Sequence, residues 1–166
     1  MSFYVLDENP VRSANKMCWL DCESAAFDGA RIIVSAVKEH GFEIDDLPFE
    51  GKDNHPLVKW AVVSRENARW LYRNTLAACI KWGKESKEEG YAELMAKLNE
   101  VAGIIDTRLP AGNQQTLFGN FYVDGETIPT FWSEDTIEST NAYYQQIKKH
   151  LMWIDGNTLK EENKNE

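Results

Sequence analysis

The chain has no positive charge to spare. Lys and Arg number 18 against 27 Asp and Glu, a formal net charge of −9 at pH 7. Affinity for duplex DNA comes largely from neutralised phosphates, so this balance argues against a tight, general nucleic-acid binder. It favours a small molecule, a basic protein surface or a weakly held nucleic acid. Cysteine is scarce. Cys18, Cys22 and Cys79 are odd in number, in a chain expected to be cytoplasmic, and are read as reduced thiols. Cys18 and Cys22 stand four apart on an expected helix without a matching His/Cys pair, so neither a metal nor another cofactor is expected. No apolar run reaches the roughly 18 residues of a membrane span, and no membrane partner is expected. The opening MSFYVLDENP has neither a basic start nor a long apolar segment, so it is not read as a signal peptide. No internal repeat or low-complexity linker divides the chain.

What is present is apolar periodicity. With 166 residues, 43% of them hydrophobic, the chain is expected to form one domain over 1–156, followed by a polar tail over 157–166. The organising stretch is Asn54 to Trp82, which holds three of the six tryptophans. Pro56 suits a first helical turn, and Ser64 can cap a restart. Beyond it Ala68, Leu71, Tyr72, Thr75, Leu76, Cys79 and Ile80 recur at helical steps, with Gly83 as the expected stop. Phe3–Leu6 reads as extended. Asn9-Pro10 reads as a cap and first helical residue, followed by a helix to about His40, in one piece or two, with Gly41 ending it. Ala26, Ala30, Ile33, Val34 and Val37 form its inner face. Tyr91 to Ala102 is a further amphipathic helix, with Leu94, Leu98, Val101 and Ala102 inward. Ser133 caps a last one over 134–153. The expected fold is mainly α, a single-domain bundle of four or five helices around a central helix, with little or no sheet.

Between the last two helices lies a different composition. Asp106 to Trp132 contains Pro110, Gly112, Gly119, Gly125 and Pro129, interleaved with Phe118, Phe121, Tyr122, Phe131 and Trp132. It reads as a long aromatic loop, with a short hairpin expected around Asp124-Gly125. Loops of this length in a small domain are usually functional. Phe121, Tyr122 and Trp132 are therefore candidates to stack on a base or seat a partner, against the alternative of a lid folded on the core.

Other candidates lie on the helices. Asp28 stands in the small, apolar run from Ala25 to Ala30, where a carboxylate is costly unless bonded. It is either functional or a hydrogen-bonded acid. Asp21 stands seven residues earlier. His55 is a candidate base or ligand contact, or a loop-bonding residue beside Pro56. Arg65, Arg69 and Arg73, four apart and beside Lys59, form a basic stripe that suits a phosphate or is paired to local acids.

The order Asn54-His55-Pro56, Trp60, Ser64, Asn67 and Trp70-Leu71-Tyr72 resembles a small family from tailed phages and bacteria, mostly hypothetical proteins. Phe3-Tyr4-Val5-Leu6-Asp7, Asn9-Pro10 and Ala14 are similar to its start. Tyr143-Tyr144, Lys148 and Trp153 are similar to its end. The likeness spans residues 3–153. The family is itself distantly similar to the helical pyrimidine-dimer DNA glycosylases of the endonuclease V type. In those enzymes an N-terminal amine attacks the sugar and a carboxylate steers the intermediate. The resemblance implies Asp28 as the carboxylate, and Ser2 as the amine once Met1 is removed. The chain departs from the family's Cys-Asp-Lys-His motif, because Cys18 to Asp28 reads CWLDCESAAFD, with the lysines and histidine gone.

Three readings follow. The first is a binding protein on a glycosylase-like scaffold with degraded catalysis, its pocket between the first long helix and the central helix. That pocket would hold a nucleotide, a nucleic-acid end or a host or defence protein, and a phage origin would place it in host cytoplasm. The second is an active base-excision glycosylase. The third is an acidic interaction protein that mimics nucleic acid.

Overall fold

The structure is a computed structural model that describes residues 2–42, 56–86, 90–112, 120–122, 137–138, 140–142 and 144–145. It is mainly helical. The order is β1 (Ser2–Tyr4), α1 (Pro10–Asn15), α2 (Trp19–Glu39), α3 (Pro56–Val62), α4 (Arg65–Ser86), α5 (Gly90–Arg108) and β2 (Asn120–Tyr122), with further helical turns within 137–145. The strands form a small antiparallel ribbon that pairs Ser2 with Tyr122, Phe3 with Phe121 and Tyr4 with Asn120. Part of the expected aromatic loop is thus a strand bound to the N-terminus. The expected hairpin at Asp124-Gly125 lies outside the described residues, as do the acidic stretch 43–53 and the tail 157–166.

The expected central helix is central. α4 packs against α1, α2, α3 and α5. Ala68, Trp70, Leu71, Asn74, Thr75, Ala78, Cys79 and Trp82 are all buried, so it presents apolar and small groups nearly all round. Ile80, expected inward, is 37% exposed. Against α4 lies α2, with Ala26, Ala30, Ile33, Val34 and Val37 buried as expected. Their contact is tight at Gly29, where an added Cβ would sit 2.1 Å from Thr75 Oγ1. No side chain fits between the two backbones there. The pocket expected between these helices is therefore closed at that crossing.

Local chemistry sets most of the helix ends. The Asn9 side chain accepts from the Val11 and Arg12 N–H groups at 3.0 Å, and Pro10 follows it. Gly41 has φ +84°, the left-handed stop after α2. The chain restarts at Ser64, whose hydroxyl accepts from the Asn67 N–H at 3.1 Å. The Asn67 amide reaches back to the Trp60 carbonyl at 2.8 Å. The His40 ring bonds the Val62 carbonyl at 2.8 Å and so ties the end of α2 to the end of α3.

Two expected ends are corrected. α4 runs through Gly83 to Ser86, because Trp82, fully buried and edge-on to Phe27, holds that turn in the core. α5 runs past Ala102 to Arg108, because Ile105 extends the buried row of Leu94, Leu98 and Val101. In both places tertiary packing outweighs the roughly 1 kcal/mol that a helical glycine costs.

The segment before α1 is tied to α4 by backbone carbonyls. Trp70 Nε1 donates to the Glu8 carbonyl at 2.7 Å, and Asn74 donates to that of Pro10 at 3.0 Å. Lys81 donates to the carbonyls of Asn15 and Met17. Asp7 accepts from the Asn9 N–H at 2.8 Å, from Lys16 at 3.0 Å and from Arg12 at 3.2 Å. These bonds, led by the Asn9 N–H, lower the Asp7 pKa from 3.8 to about 2.

Two outcomes follow. Gly29→Ala is expected to lower stability by about 1–3 kcal/mol in urea melts, with partial recovery when Thr75→Ala is added. Asp7 is easier to ionise in the folded chain. Its stabilising contribution is therefore complete above its ordinary pKa and disappears as pH falls through the folded value. Asp7→Asn is expected to remove that component of the stability loss between about pH 4 and 2, read by melts across that range.

Candidate functional site

The basic stripe on α4 can be followed residue by residue. Arg65 sits at the start of α4, where its N–H donates to the Pro110 carbonyl at 2.7 Å and its guanidinium to the Leu109 carbonyl at 2.9 Å. It binds the chain leaving α5 to the α3–α4 joint. Arg69 lies between two acids, bonding Asp106 at 2.8 Å and Glu66 at 2.5 Å. Asp106 first, then Glu66, raise its pKa above the ordinary arginine value. Arg73 and Lys59 are exposed. Of the two readings left open for the stripe, pairing with local groups describes Arg65 and Arg69. A guanidinium held by two carboxylates presents little net positive potential to a phosphate.

Asp28 is also engaged. Its carboxylate accepts from Arg31 at 3.0 Å, one turn along α2, with the two side chains 15% and 23% exposed. It is thus a paired acid near the surface of the bundle. Asp28 and Arg69 have different partners, Asp28 with Arg31 on its own helix and Arg69 with the acids Glu66 and Asp106 on α4 and α5. Ser2 is placed by its backbone in the ribbon opposite Tyr122, next to the Phe3–Phe121 pair. The side chains of Ser2, Phe121 and Tyr122, and all of His55 and Trp132, lie outside the described part.

One constellation was not foreseen as a unit. Cys18 and Asp21 open α2, and Tyr144 arrives from the far end of the sequence. The Tyr144 hydroxyl accepts from the Cys18 N–H at 2.9 Å and donates to Asp21 Oδ2 at 2.6 Å. The Cys18 thiol donates to the same carboxylate oxygen at 3.4 Å, and its sulfur lies 3.5 Å from the phenol oxygen. Cys18 is 4% exposed and Tyr144 fully buried. α2 has no side-chain cap from its own Cys18, so the phenol serves one of its free N–H groups.

The electrostatics of this cluster favour neutral donors around one carboxylate. Burial, then the bond to Asp21, pushes the Tyr144 phenol well above its ordinary pKa. Burial likewise raises the Cys18 thiol, against the lowering effect of the Tyr144 bond. A thiol shifted this way is no thiolate nucleophile at neutral pH. Cys79 is pushed up by burial to about 11. Cys22 turns its sulfur to the Ala14 carbonyl at 3.7 Å, away from the cluster. The two cysteines four apart have different partners, and no group of three His, Cys, Asp or Glu able to hold a metal occurs among the described residues. Tyr144 and Cys18 were visible in the sequence only as isolated parts of the family resemblance. A contact across 126 residues leaves no local pattern.

Asp21→Ala should leave the buried phenol proton without this acceptor, and Tyr144→Phe should leave the Cys18 N–H without its partner. Each is expected to cost about 1–3 kcal/mol in urea melts, with a double-mutant coupling of about 1 kcal/mol or more. Additive effects would mean that the two groups do not act together.

No family model, no curated protein and no solved structure matches the chain.

Proposed function

We propose that the chain is a binding protein on a helical scaffold, with no surviving base-excision chemistry, and that its partner is a basic protein surface. The observation that carries this reading is the occupation of Arg69 by Glu66 and Asp106, on a chain of net charge −9. The middle arginine of the stripe is neutralised by its neighbours. A partner rich in Lys and Arg instead meets acids already on the outside, including Glu8, Glu39, Glu93, Glu100 and Asp106. Asp28, the carboxylate implied by the glycosylase resemblance, has Arg31 beside it. Such a partner fits a host or defence protein that itself holds nucleic acid, so the acidic-mimic reading and the binding-protein reading converge.

A second reading keeps one specific support. The ribbon fixes the Ser2 backbone within a strand opposite Tyr122, where removal of Met1 would leave an amine at a defined place beside the aromatic segment. An amine-dependent glycosylase needs such an amine at a fixed position.

Titration calorimetry against a lysine-rich peptide, with an undamaged duplex in parallel, tests the first reading. Binding to the peptide that weakens as salt rises, and none to the duplex, is the expected result. Glu66→Gln with Asp106→Asn should then unmask Arg69 and give duplex binding that the parent chain lacks. Borohydride trapping of a covalent adduct with dimer-containing duplex would instead establish the enzyme and end the binding-only reading.

A further inference from the structure

On the reading of the partner as a basic protein surface, we infer that it docks on the outer face of α5, that the docking element is a basic helix, and that Gly103 is the point of closest approach. Glu93, Ala96, Glu100, Gly103 and Asp106 follow one another at steps of three and four residues, so they form one line along α5. All five are exposed. Leu94, Leu98, Val101 and Ile105 are buried on the other side, where α5 packs on α2 and α4. One face of α5 belongs to the core and the other is open to solvent.

Gly103 singles this face out. A glycine inside a helix lowers stability relative to alanine, so its presence calls for a reason. At Gly29 the reason is internal, because Thr75 occupies the space a side chain would take. At Gly103 an added Cβ would meet nothing within 4 Å among the described residues, and the residue is exposed. No described neighbour requires it. A bare backbone there lets a second helix come to the short end of the roughly 8–10 Å range of helix packing. Ala96, two turns earlier, keeps the same line low.

Charge decides the occupant. Glu93, Glu100 and Asp106 alternate with the small residues, and no basic residue stands on the line. Lys97 and Arg69 pair with Glu100 and Asp106 from positions less exposed than the acids themselves, so the carboxylates are the outermost charges. Arg108 lies off the line, over the Phe42 ring. A second copy of this chain would set acid against acid, and a nucleic acid would set phosphate against acid. A helix that carries Lys or Arg beside small residues meets both the shape and the charge.

The probe is a helical peptide of about 20 residues, alanine with lysine at every fourth position, long enough to hold a helix. Its binding to the full-length chain is followed by titration calorimetry at low salt. Gly103→Leu changes no charge and fills open space. It is expected to raise the Tm by about 2–4 °C, because leucine is the better helix former, and to weaken the peptide about tenfold. Glu93→Gln with Glu100→Gln is expected to weaken it by a similar factor. Glu8→Gln with Glu39→Gln, the same loss of charge elsewhere on the surface, should change Kd by less than about twofold. A parent chain with no affinity for the peptide overturns the basic-partner reading and this docking face with it. A parent chain that binds, with Kd unmoved by Gly103→Leu or with equal losses from the two glutamate pairs, leaves that reading standing and overturns the assignment to α5.

Discussion

A helix packed against four others has to find internal partners for the polar groups it buries. On α4 many of these groups reach backbone carbonyls of its neighbours. Arg65 donates to the Leu109 carbonyl, Asn67 to that of Trp60, Trp70 to that of Glu8, Asn74 to that of Pro10 and Lys81 to those of Asn15 and Met17. The acceptors are backbone carbonyls in the α3–α4 joint, the N-terminal segment, α1 and the chain after α5. Burial gives the assembly its driving force, but apolar contact alone tolerates sliding. Directional bonds from fixed positions on α4 determine where each neighbour stops.

The same requirement limits what the surface can do. Two arginines that look like a phosphate-binding stripe are committed, Arg65 to holding α5 and Arg69 to a pair of carboxylates. The crossing of α2 and α4 is close at Gly29 for a related reason. Gly29 lets α2 close onto Thr75, and that closure occupies the space in which a ligand between the helices would lie.

The apolar periodicity over 19–39 and 65–86 was enough to read two long helices and their inner faces, because burial of a helix repeats with its own geometry. Caps at Asn9, Ser64 and Gly41 were legible for the same local reason. Helix ends at Gly83 and Ala102 were not, since Trp82 and Ile105 extend those helices through contacts made elsewhere in the chain. The candidate site was legible only as residue types. Whether an arginine meets a ligand or a carboxylate three residues back is decided by geometry, and the pattern Arg65, Arg69, Arg73 looks identical in both cases. Tyr144 at the head of α2 is the extreme example, a contact with no trace in the spacing of either partner.

This division bears on what a family resemblance can mean here. Trp60, Ser64, Asn67 and Trp70 carry the most specific part of the likeness to the phage and bacterial proteins. Each has a structural task in this chain: Trp60 packs edge-on to Trp70, Ser64 caps α4, Asn67 closes the joint and Trp70 holds the N-terminal segment. Residues with such tasks build the scaffold, and their pattern carries no information about activity. In the segment from Cys18 to Asp28 the side chains at and within the start of α2 likewise serve the chain itself, Cys18 and Asp21 with Tyr144 and Asp28 with Arg31. The Asp21 carboxylate is partly buried and receives the phenol and the thiol as donors, an arrangement that ties a distant part of the sequence to the head of α2.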